Sequence, residues 1–215
     1  MKTLTRKTRW TIAVLAVVAA LIAALVAQLR DNPSPLTAIP PTTASREHRD
    51  TRASPALAGL RQRANLPPCP AAGSGAGPAA LHGVMVECAA DGSTVDVARS
   101  LAGHRVVLNL WAYWCAACTA ELPAMAEYQR RVGPDVMVVT VHQDENEAAA
   151  LLRLADLGVR LPSLQDGRRL VAAALRVPNV MPATVVLRPD GSVAQTLPRD
   201  FASADEIAAA VGNDA

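Results

Sequence analysis

Two cysteines three positions apart carry the clearest chemistry in this sequence of 215 residues. Cys115 and Cys118 stand in the segment Trp-Cys-Ala-Ala-Cys. This spacing lets one thiol form a mixed disulfide with another molecule and lets the second thiol resolve it. The pair therefore predicts thiol–disulfide exchange. Half of a zinc site or a structural disulfide are the alternatives, but no second Cys-x-x-Cys and no nearby His pair completes four zinc ligands.

The segments around the pair predict how it is positioned. The apolar run 106–110 predicts a buried strand, the pair then opens a helix that extends to about residue 131, and 136–141 predicts another strand. This order is that of a βαβ unit. It places Cys115 at the N-terminus of a helix, where free backbone N–H groups and the helix dipole stabilise a thiolate.

Flanking segments supply the remaining elements. Residues 84–97 read as an N-terminal β-hairpin around Asp91-Gly92, and 184–187 with 193–197 read as a second antiparallel hairpin. Helices are predicted over 145–158, 168–176 and 203–211. The last of these should begin with Ser203 as N-cap and Glu206 completing a capping box.

The N-terminus predicts a membrane anchor. Residues 10–29 carry no formal charge, and about 20 residues of helix span a hydrocarbon core of about 30 Å. Basic residues crowd the N-region 1–9, which should therefore stay cytoplasmic while the rest of this single-pass protein is extracytoplasmic. A signal peptide that is cleaved to release a secreted protein is the alternative.

The rest of the chain divides into a linker and one domain. Proline, serine, threonine and alanine dominate residues 30–67, which predicts a flexible linker, and 68–215 is long enough for one domain. The net charge of the whole chain is +2. Four basic residues supply +4 of it, namely Lys2, Arg6, Lys7 and Arg9, so the remainder is slightly acidic. This charge distribution excludes a nucleic-acid partner.

The segment LNLWAYWCAACTAELPAM resembles the active-site region of the thioredoxin superfamily, specifically its membrane-anchored TlpA/ResA/CcmG-like branch. The resemblance covers about residues 80–212 and includes Trp111, Trp114, Pro123 and Pro182 at matching positions. It implies an α/β thioredoxin-like fold, with a central mixed β-sheet flanked by helices, the N-terminal hairpin, and a helical insertion at 145–158.

The same resemblance implies roles for individual residues. Pro182 should be cis and face the cysteine pair, and the backbone of Met181 should bind an extended substrate segment. Glu121 resembles an acidic residue that exchanges a proton with Cys118, although it could equally be a solvated helix residue. Asn109 stands where minimal thioredoxins carry a buried Asp, and an amide cannot take up that proton.

Two further cysteines and one histidine lie outside the motif. In an exported protein the even pair Cys69 and Cys88 favours a structural disulfide, with two free thiols as the alternative. His142 follows a predicted strand that ends near the same sheet edge as Cys115, so it could tune that thiol. Scattered histidines are, however, mostly surface residues without such a role.

These observations together predict an extracytoplasmic thiol–disulfide oxidoreductase. It would exchange disulfides with exported protein substrates, and the resemblance favours a reductant, for example in cytochrome c maturation. An upstream membrane electron donor would re-reduce it, and no cofactor or resident metal is predicted. One alternative is a disulfide-forming oxidase of the same fold, and another is a Cu(I) metallochaperone that uses Cys115, Cys118 and Met181. A peroxidase is disfavoured because the second cysteine follows so closely.

Overall fold

The structure is a computed structural model that describes residues 16–18, 20–22, 55–75 and 77–212. The chain divides into two units, Met1–Arg49 and Asp50–Ala215. In the first unit, residues 16–18 and 20–22 are helical and exposed. Among all the residues described, no helix combines the length and the apolar character needed to cross a membrane. The N-region 1–9 and most of the predicted anchor 10–29 lie outside the described residues.

The second unit is built on a mixed seven-stranded sheet with the spatial order β2-β1-β5-β4-β3-β6-β7. Its strands are β1 (Met85–Cys88), β2 (Thr94–Asp96), β3 (Arg105–Trp111), β4 (Val136–His142), β5 (Ser163–Gln165), β6 (Ala183–Leu187) and β7 (Val193–Leu197). Strands β3, β4 and β5 run parallel, and the other neighbouring pairs are antiparallel. This arrangement confirms the predicted α/β class with a central mixed sheet.

Helices cover the sheet, and apolar side chains form a buried cluster on each of its faces. The helices are α1 (Pro55–Ala64), α2 (Val97–Ser100), α3 (Ala116–Val132), α4 (Glu147–Asp156), α5 (Leu170–Ala174) and α6 (Ala204–Val211), with short 3-10 turns at Ala79–Leu81 and Gly133–Asp135. The β3-α3-β4 unit is the predicted βαβ unit. The α4 helix is the predicted insertion, and α5 is shorter than the predicted 168–176.

Both predicted hairpins form. Strands β1 and β2 pair antiparallel around Gly92, whose φ of 79° requires the backbone freedom of glycine. The second predicted strand of this hairpin ends earlier than residue 97, because the Asp96 carboxylate accepts the N–H of Arg99 at 3.2 Å and caps α2. Strands β6 and β7 form the other hairpin, with a bulge near Leu187.

The first residues of α6 depart from the predicted capping box. The Ser203 hydroxyl accepts the N–H of Glu206 at 3.2 Å, as expected of an N-cap. The Glu206 carboxylate, however, accepts the N–H of Ala202 at 2.9 Å and pairs with Arg199 at 2.6 Å. These two donors take up the carboxylate, so Glu206 does not complete the predicted reciprocal bond to Ser203.

The predicted flexible linker 30–67 is too long at its C-terminal end, because Pro55–Ala64 forms α1. Its Leu57 and Ala64 side chains are buried, and Leu60 packs against the same cluster. Spacings of three and four residues place these side chains on one face of a helix, and Pro55 suits a first helical position. The α1 helix packs on α4. Residues 30–54 of the predicted linker lie outside the described residues.

A row of polar side chains crosses the buried sheet. Thr184 of β6, Asn109 of β3, Thr140 of β4 and Ser163 of β5 are successive cross-strand partners, and all four are buried. The hydroxyls of Thr140 and Ser163 lie 2.7 Å apart and share a hydrogen bond. The α3 helix covers this face, since Val107 and Val138 pack in the same cluster as its residues.

Candidate active site

Cys115 and Cys118 lie where β3 leads into α3, and a disulfide joins them. Cys115 is the N-cap of α3, and its Sγ accepts the backbone N–H of Cys118 at 3.1 Å. Cys115 is 8% exposed, whereas Cys118 is completely buried. Cys115 is therefore the sulfur that an incoming thiol can reach.

The N-terminus of α3 suits a negatively charged sulfur. No acidic residue lies in its first turn, and its free N–H groups and dipole favour negative charge at Cys115. Thiolate is the nucleophilic form of cysteine. The site can therefore support nucleophilic attack by Cys115 once the disulfide is reduced.

The loop before β6 reaches the same end of the sheet. The Met181–Pro182 peptide bond is cis. Ala183 pairs with Leu110 of β3, so Pro182 lies at the end of the sheet from which the chain continues to Cys115. The Arg169 guanidinium donates a hydrogen bond of 2.5 Å to the side-chain oxygen of Asn179, which is part of this loop.

The two tryptophans before the cysteines occupy different environments. Trp111 is fully buried, with its ring centroid 4.9 Å from that of His142. Its indole N–H has no hydrogen-bond partner within the described part of the chain. Trp114 is 57% exposed, and its indole N–H donates to the Asp144 carboxylate at 3.0 Å. Of these two tryptophans, Trp114 is the one whose side chain a substrate could contact.

Glu121 is completely buried on α3, one turn after Cys118. One carboxylate oxygen accepts the Asn109 amide N–H at 2.7 Å, and the other has no partner among the residues described. Burial raises the pKa of Glu121 to about 7, against the opposing effect of the Asn109 hydrogen bond. The negative charge of Asp200 raises the pKa further. Glu121 can therefore take up or release a proton near neutral pH.

The other predicted site residues lie outside this group. Pro123 lies within α3, with its ring exposed. Cys69 and Cys88 form a disulfide with a Cα–Cα distance of 5.8 Å. Cys88 is on β1, which β5 and β4 separate from β3, so this disulfide lies away from the Cys115 pair. Within the described ranges, no three His, Cys, Asp or Glu side chains cluster in a way that could hold a metal ion.

Two residues near the site, Asp144 and Gln165, do not stand out in the sequence. Asp144 binds the Trp114 indole, and Gln165 lies 2.8 Å from the Nδ1 atom of His142. The short strand β5, which carries Gln165, shows no hydrophobic period that would predict it. An Asp just after the end of β4 was the available signal, because polar residues at the C-terminal ends of parallel strands often line sites.

Comparison with known proteins agrees with this geometry. The Redoxin family model matches residues 71–210. The chain is 32% identical over 107 residues to the thiol-disulfide oxidoreductase ResA of Oceanobacillus iheyensis, covering 48% of this chain and 53% of that protein. It is 33% identical over 98 residues to the thioredoxin-like protein YneN of Bacillus subtilis, covering 42% and 54%. The chain thus spans about half the length of the curated relatives it matches.

A solved structure shares the fold over most of its own length. The secreted Mycobacterium tuberculosis disulfide oxidoreductase homologous to E. coli DsbE is 25% identical, with a TM-score of 0.53, covering 61% of this chain and 96% of that one. The Redoxin match extends over well more than half of the chain and includes the cysteine pair and the cis-proline loop. The protein therefore belongs to the Redoxin family, as a TlpA/ResA-like member of the thioredoxin superfamily.

Proposed function

We propose that this protein is an extracytoplasmic thiol–disulfide oxidoreductase that exchanges disulfides with exported proteins through Cys115 and Cys118. The observation that carries the proposal is the placement of the pair at the N-terminus of α3, with Cys115 reachable and Cys118 buried behind it. This arrangement separates an attacking sulfur from a resolving one. The names of two relatives, a thiol-disulfide oxidoreductase and a disulfide oxidoreductase, support the same chemistry.

The reaction proceeds in two exchanges. The Cys115 thiolate attacks a sulfur of the substrate disulfide, which forms a mixed disulfide and releases the other substrate sulfur as a thiolate. Cys118 then loses its proton and attacks the Cys115 sulfur, which releases the second substrate thiolate and leaves the Cys115–Cys118 disulfide. Two electrons have passed from the pair to the substrate. Glu121 is the group proposed to accept the Cys118 proton.

The substrate would bind along the cis-proline loop. Met181 precedes the cis bond, and its backbone is proposed to pair with an extended substrate segment. Two exposed apolar side chains lie next to the site in sequence. Trp114 directly precedes Cys115, and Val180 stands two residues before Pro182. Trp111 and Pro123 are proposed to support the site without touching substrate.

The proposed direction is reduction of exported thiol clients. In an oxidising compartment, the cysteines of exported proteins are oxidised to disulfides. A client protein whose thiols must remain reduced, as in cytochrome c maturation, therefore requires a reductant. An upstream membrane donor would return electrons to the oxidised pair. The proposed location is the outer side of the cell membrane, with residues 10–29 as anchor, and one relative is named as secreted. Extraction of membranes with alkaline carbonate tests the anchor, because a spanning protein stays with the lipid.

Reduction of insulin disulfides tests the activity. The full chain with excess dithiothreitol should accelerate insulin reduction, and Cys115→Ser should abolish the acceleration because the nucleophile is lost. Equilibration of the cysteine pair with dithiothreitol gives its reduction potential. A value near that of thioredoxin, about −270 mV, supports a reductant, whereas a value near about −120 mV would make the protein an oxidase. A wild-type protein that leaves the rate of insulin reduction at that of dithiothreitol alone would contradict the exchange function itself.

A further inference from the structure

We propose that a ring of hydrogen bonds behind the cysteine pair holds the exposed indole of Trp114 in place as one wall of the substrate site. We call it the indole-positioning ring, and its other members are Tyr113, His142, Gln165 and Asp144. The inference rests on the proposed exchange reaction. It adds three positioning residues that the cysteine pair itself does not reveal, on β4, β5 and the loop after β4.

The first half of the ring fixes the state of His142. The Nε2 atom of His142 accepts the backbone N–H of Tyr113 at 3.4 Å, so the proton of the neutral imidazole is on Nδ1. Nδ1 lies 2.8 Å from the side-chain oxygen of Gln165 and donates to it. His142 is 2% exposed, and burial lowers its pKa. The imidazole is therefore neutral, with one nitrogen donating and the other accepting.

The second half of the ring returns to the indole. The Gln165 amide N–H donates to the backbone carbonyl of Asp144 at 2.6 Å. One oxygen of the Asp144 carboxylate accepts the Trp114 indole N–H at 3.0 Å, and the other accepts the backbone N–H of Asn146 at 2.9 Å. Asp144 is thus held at both its main chain and its side chain, so the indole meets an acceptor in a fixed position.

Each bond of the ring leads to the next, and the peptide bond between Tyr113 and Trp114 closes it. Three segments that are distant in sequence are joined in this way: the turn before Cys115, the end of β4 and the strand β5. His142 and Gln165 are also direct cross-strand partners in the sheet. The ring therefore ties the turn before Cys115 to the rigid sheet rather than to another loop.

The ring stabilises a side chain that contributes little to the core. Trp111 fills the interior, but Trp114 leaves more than half of its surface in water. Exposed aromatic side chains of this size are typical of binding surfaces. An indole that is already held in one position loses less conformational freedom when a ligand binds. Two buried polar side chains that hold an exposed indole are therefore better explained by substrate binding than by stability.

A double-mutant cycle with Gln165→Leu and Trp114→Ala tests the proposal in the full chain. With insulin as substrate and dithiothreitol as reductant, Gln165→Leu should lower kcat/KM about fivefold, mainly through KM, the size expected for one net hydrogen bond. In the Trp114→Ala background the same change should have no further effect, because the indole through which it acts is gone. Independent, additive losses would overturn the proposal, and so would an unaltered KM in Gln165→Leu.

A second pair of variants at Asp144 covers the case in which Gln165→Leu fails to fold. Asp144→Asn keeps one oxygen that can accept the indole N–H but loses the acceptor for the Asn146 N–H, so its KM should lie between those of the wild type and Asp144→Ala. Asp144→Ala should raise KM about fivefold. Exchange of the Trp114 indole proton with water, measured by NMR, should accelerate more in Asp144→Ala than in Asp144→Asn. Equal KM values in the two variants would overturn the proposal.

Alkylation of reduced Cys115 by iodoacetamide separates failure of the ring from failure of the exchange function. This small reagent needs no binding wall, so its rate should stay within about twofold of wild type in Gln165→Leu. A wild-type protein that does not accelerate insulin reduction by dithiothreitol would contradict the proposed function. A wild-type protein that does, combined with additive variants, would contradict only the role of the ring.

Discussion

Glu121 and Glu127 lie on the same helix, but their surroundings shift their pKa values in opposite directions. Burial raises the pKa of Glu121 to about 7. Hydrogen bonds from Arg131, aided by the charge of Arg130, lower the pKa of Glu127, whose side chain is 36% exposed. A carboxyl group that changes charge near pH 7 is suited to proton transfer at neutral pH, whereas one that is always ionised is not. Position on α3 thus separates a candidate acid–base group from a surface ion pair.

Glu121→Gln should change the pH dependence of mixed-disulfide resolution. Below about pH 7 Glu121 holds a proton, and above it the carboxylate can accept the proton of Cys118. In the wild type, release of glutathione from a mixed disulfide preformed on Cys115 should therefore accelerate as the pH rises through about 7. The variant should lack this increase, and above about pH 7 its release of glutathione should be at least about tenfold slower than that of the wild type. Stopped-flow measurement of glutathione release across this pH range gives both results.

Glu127→Gln is the matched control for this experiment, because it removes a carboxylate from the solvent side of the same helix. Its profile should coincide with that of the wild type. If Glu121→Gln keeps the step near pH 7, another group takes the Cys118 proton. Asn109 could not be that group, since its amide does not accept a proton at this pH.

Among the elements, α1 is attached to α4 by two ion pairs of different character. Arg61 binds Glu147 at 2.9 Å, and both side chains are nearly buried, at 11% and 8% exposure. Arg63 binds Asp156 at the same distance, but both side chains are more than half exposed. Solvent screens the second pair, whereas the first pair joins two charges that are nearly buried, so its loss should cost more.

Arg61→Ala should therefore cost much more stability than Arg63→Ala. We expect a loss of about 3 kcal/mol in the free energy of unfolding for Arg61→Ala, because this variant breaks an ion pair that is nearly buried. Arg63→Ala should cost less than about 1 kcal/mol. Urea unfolding of the full-length variants measures both values. Equal, small losses would mean that α1 does not dock on α4 in solution.

Elements with a strong local signal were predictable, and elements defined by their partners were not. Strands β3 and β4 were predicted because continuous apolar runs of this length are typical of buried parallel strands. The three-residue β5 has no such run, and it becomes a strand only by pairing with β4 and β1. The sequence of α1 is typical of a linker because prolines surround a short apolar repeat, and the helix is stabilised by its contacts with α4.

At the scale of the whole molecule, the Cys69–Cys88 disulfide links the segment after α1 to β1. It closes a loop between residues 19 positions apart, which restricts the unfolded chain. The double variant Cys69→Ser/Cys88→Ser should lower the free energy of unfolding by about 3 kcal/mol. Iodoacetamide should still alkylate reduced Cys115 at the wild-type rate, since two strands separate the disulfide from β3.

Urea unfolding of the oxidised protein and of the double variant provides this comparison. If the two unfold at the same urea concentration, the disulfide does not stabilise the domain. If alkylation of Cys115 slows, the disulfide affects the site in spite of its distance. Either result would change the role assigned to the disulfide.

The positions of the cysteine pair and of the cis-proline were predictable to a greater extent than their surroundings. Spacing and family resemblance identified the cysteine pair, and the resemblance placed the proline that the structure shows as cis. The indole-positioning ring could not be predicted, because its hydrogen bonds join residues that lie 21 to 30 positions apart. Such contacts depend on strand order and register, which one sequence does not specify.

The polar row across the sheet has a consequence for how the chain reaches one pairing of its strands. Apolar runs such as those of β3 and β4 could slide past one another and still bury valines and leucines, because neighbouring residues are similar. A slip by one residue would turn Asn109 to the opposite face, and a slip by two toward the start of β4 would set its amide against Val138. Asn109 and its polar neighbours thus penalise misaligned sheets, so a residue that accepts no proton in catalysis can still select the alignment that builds the site.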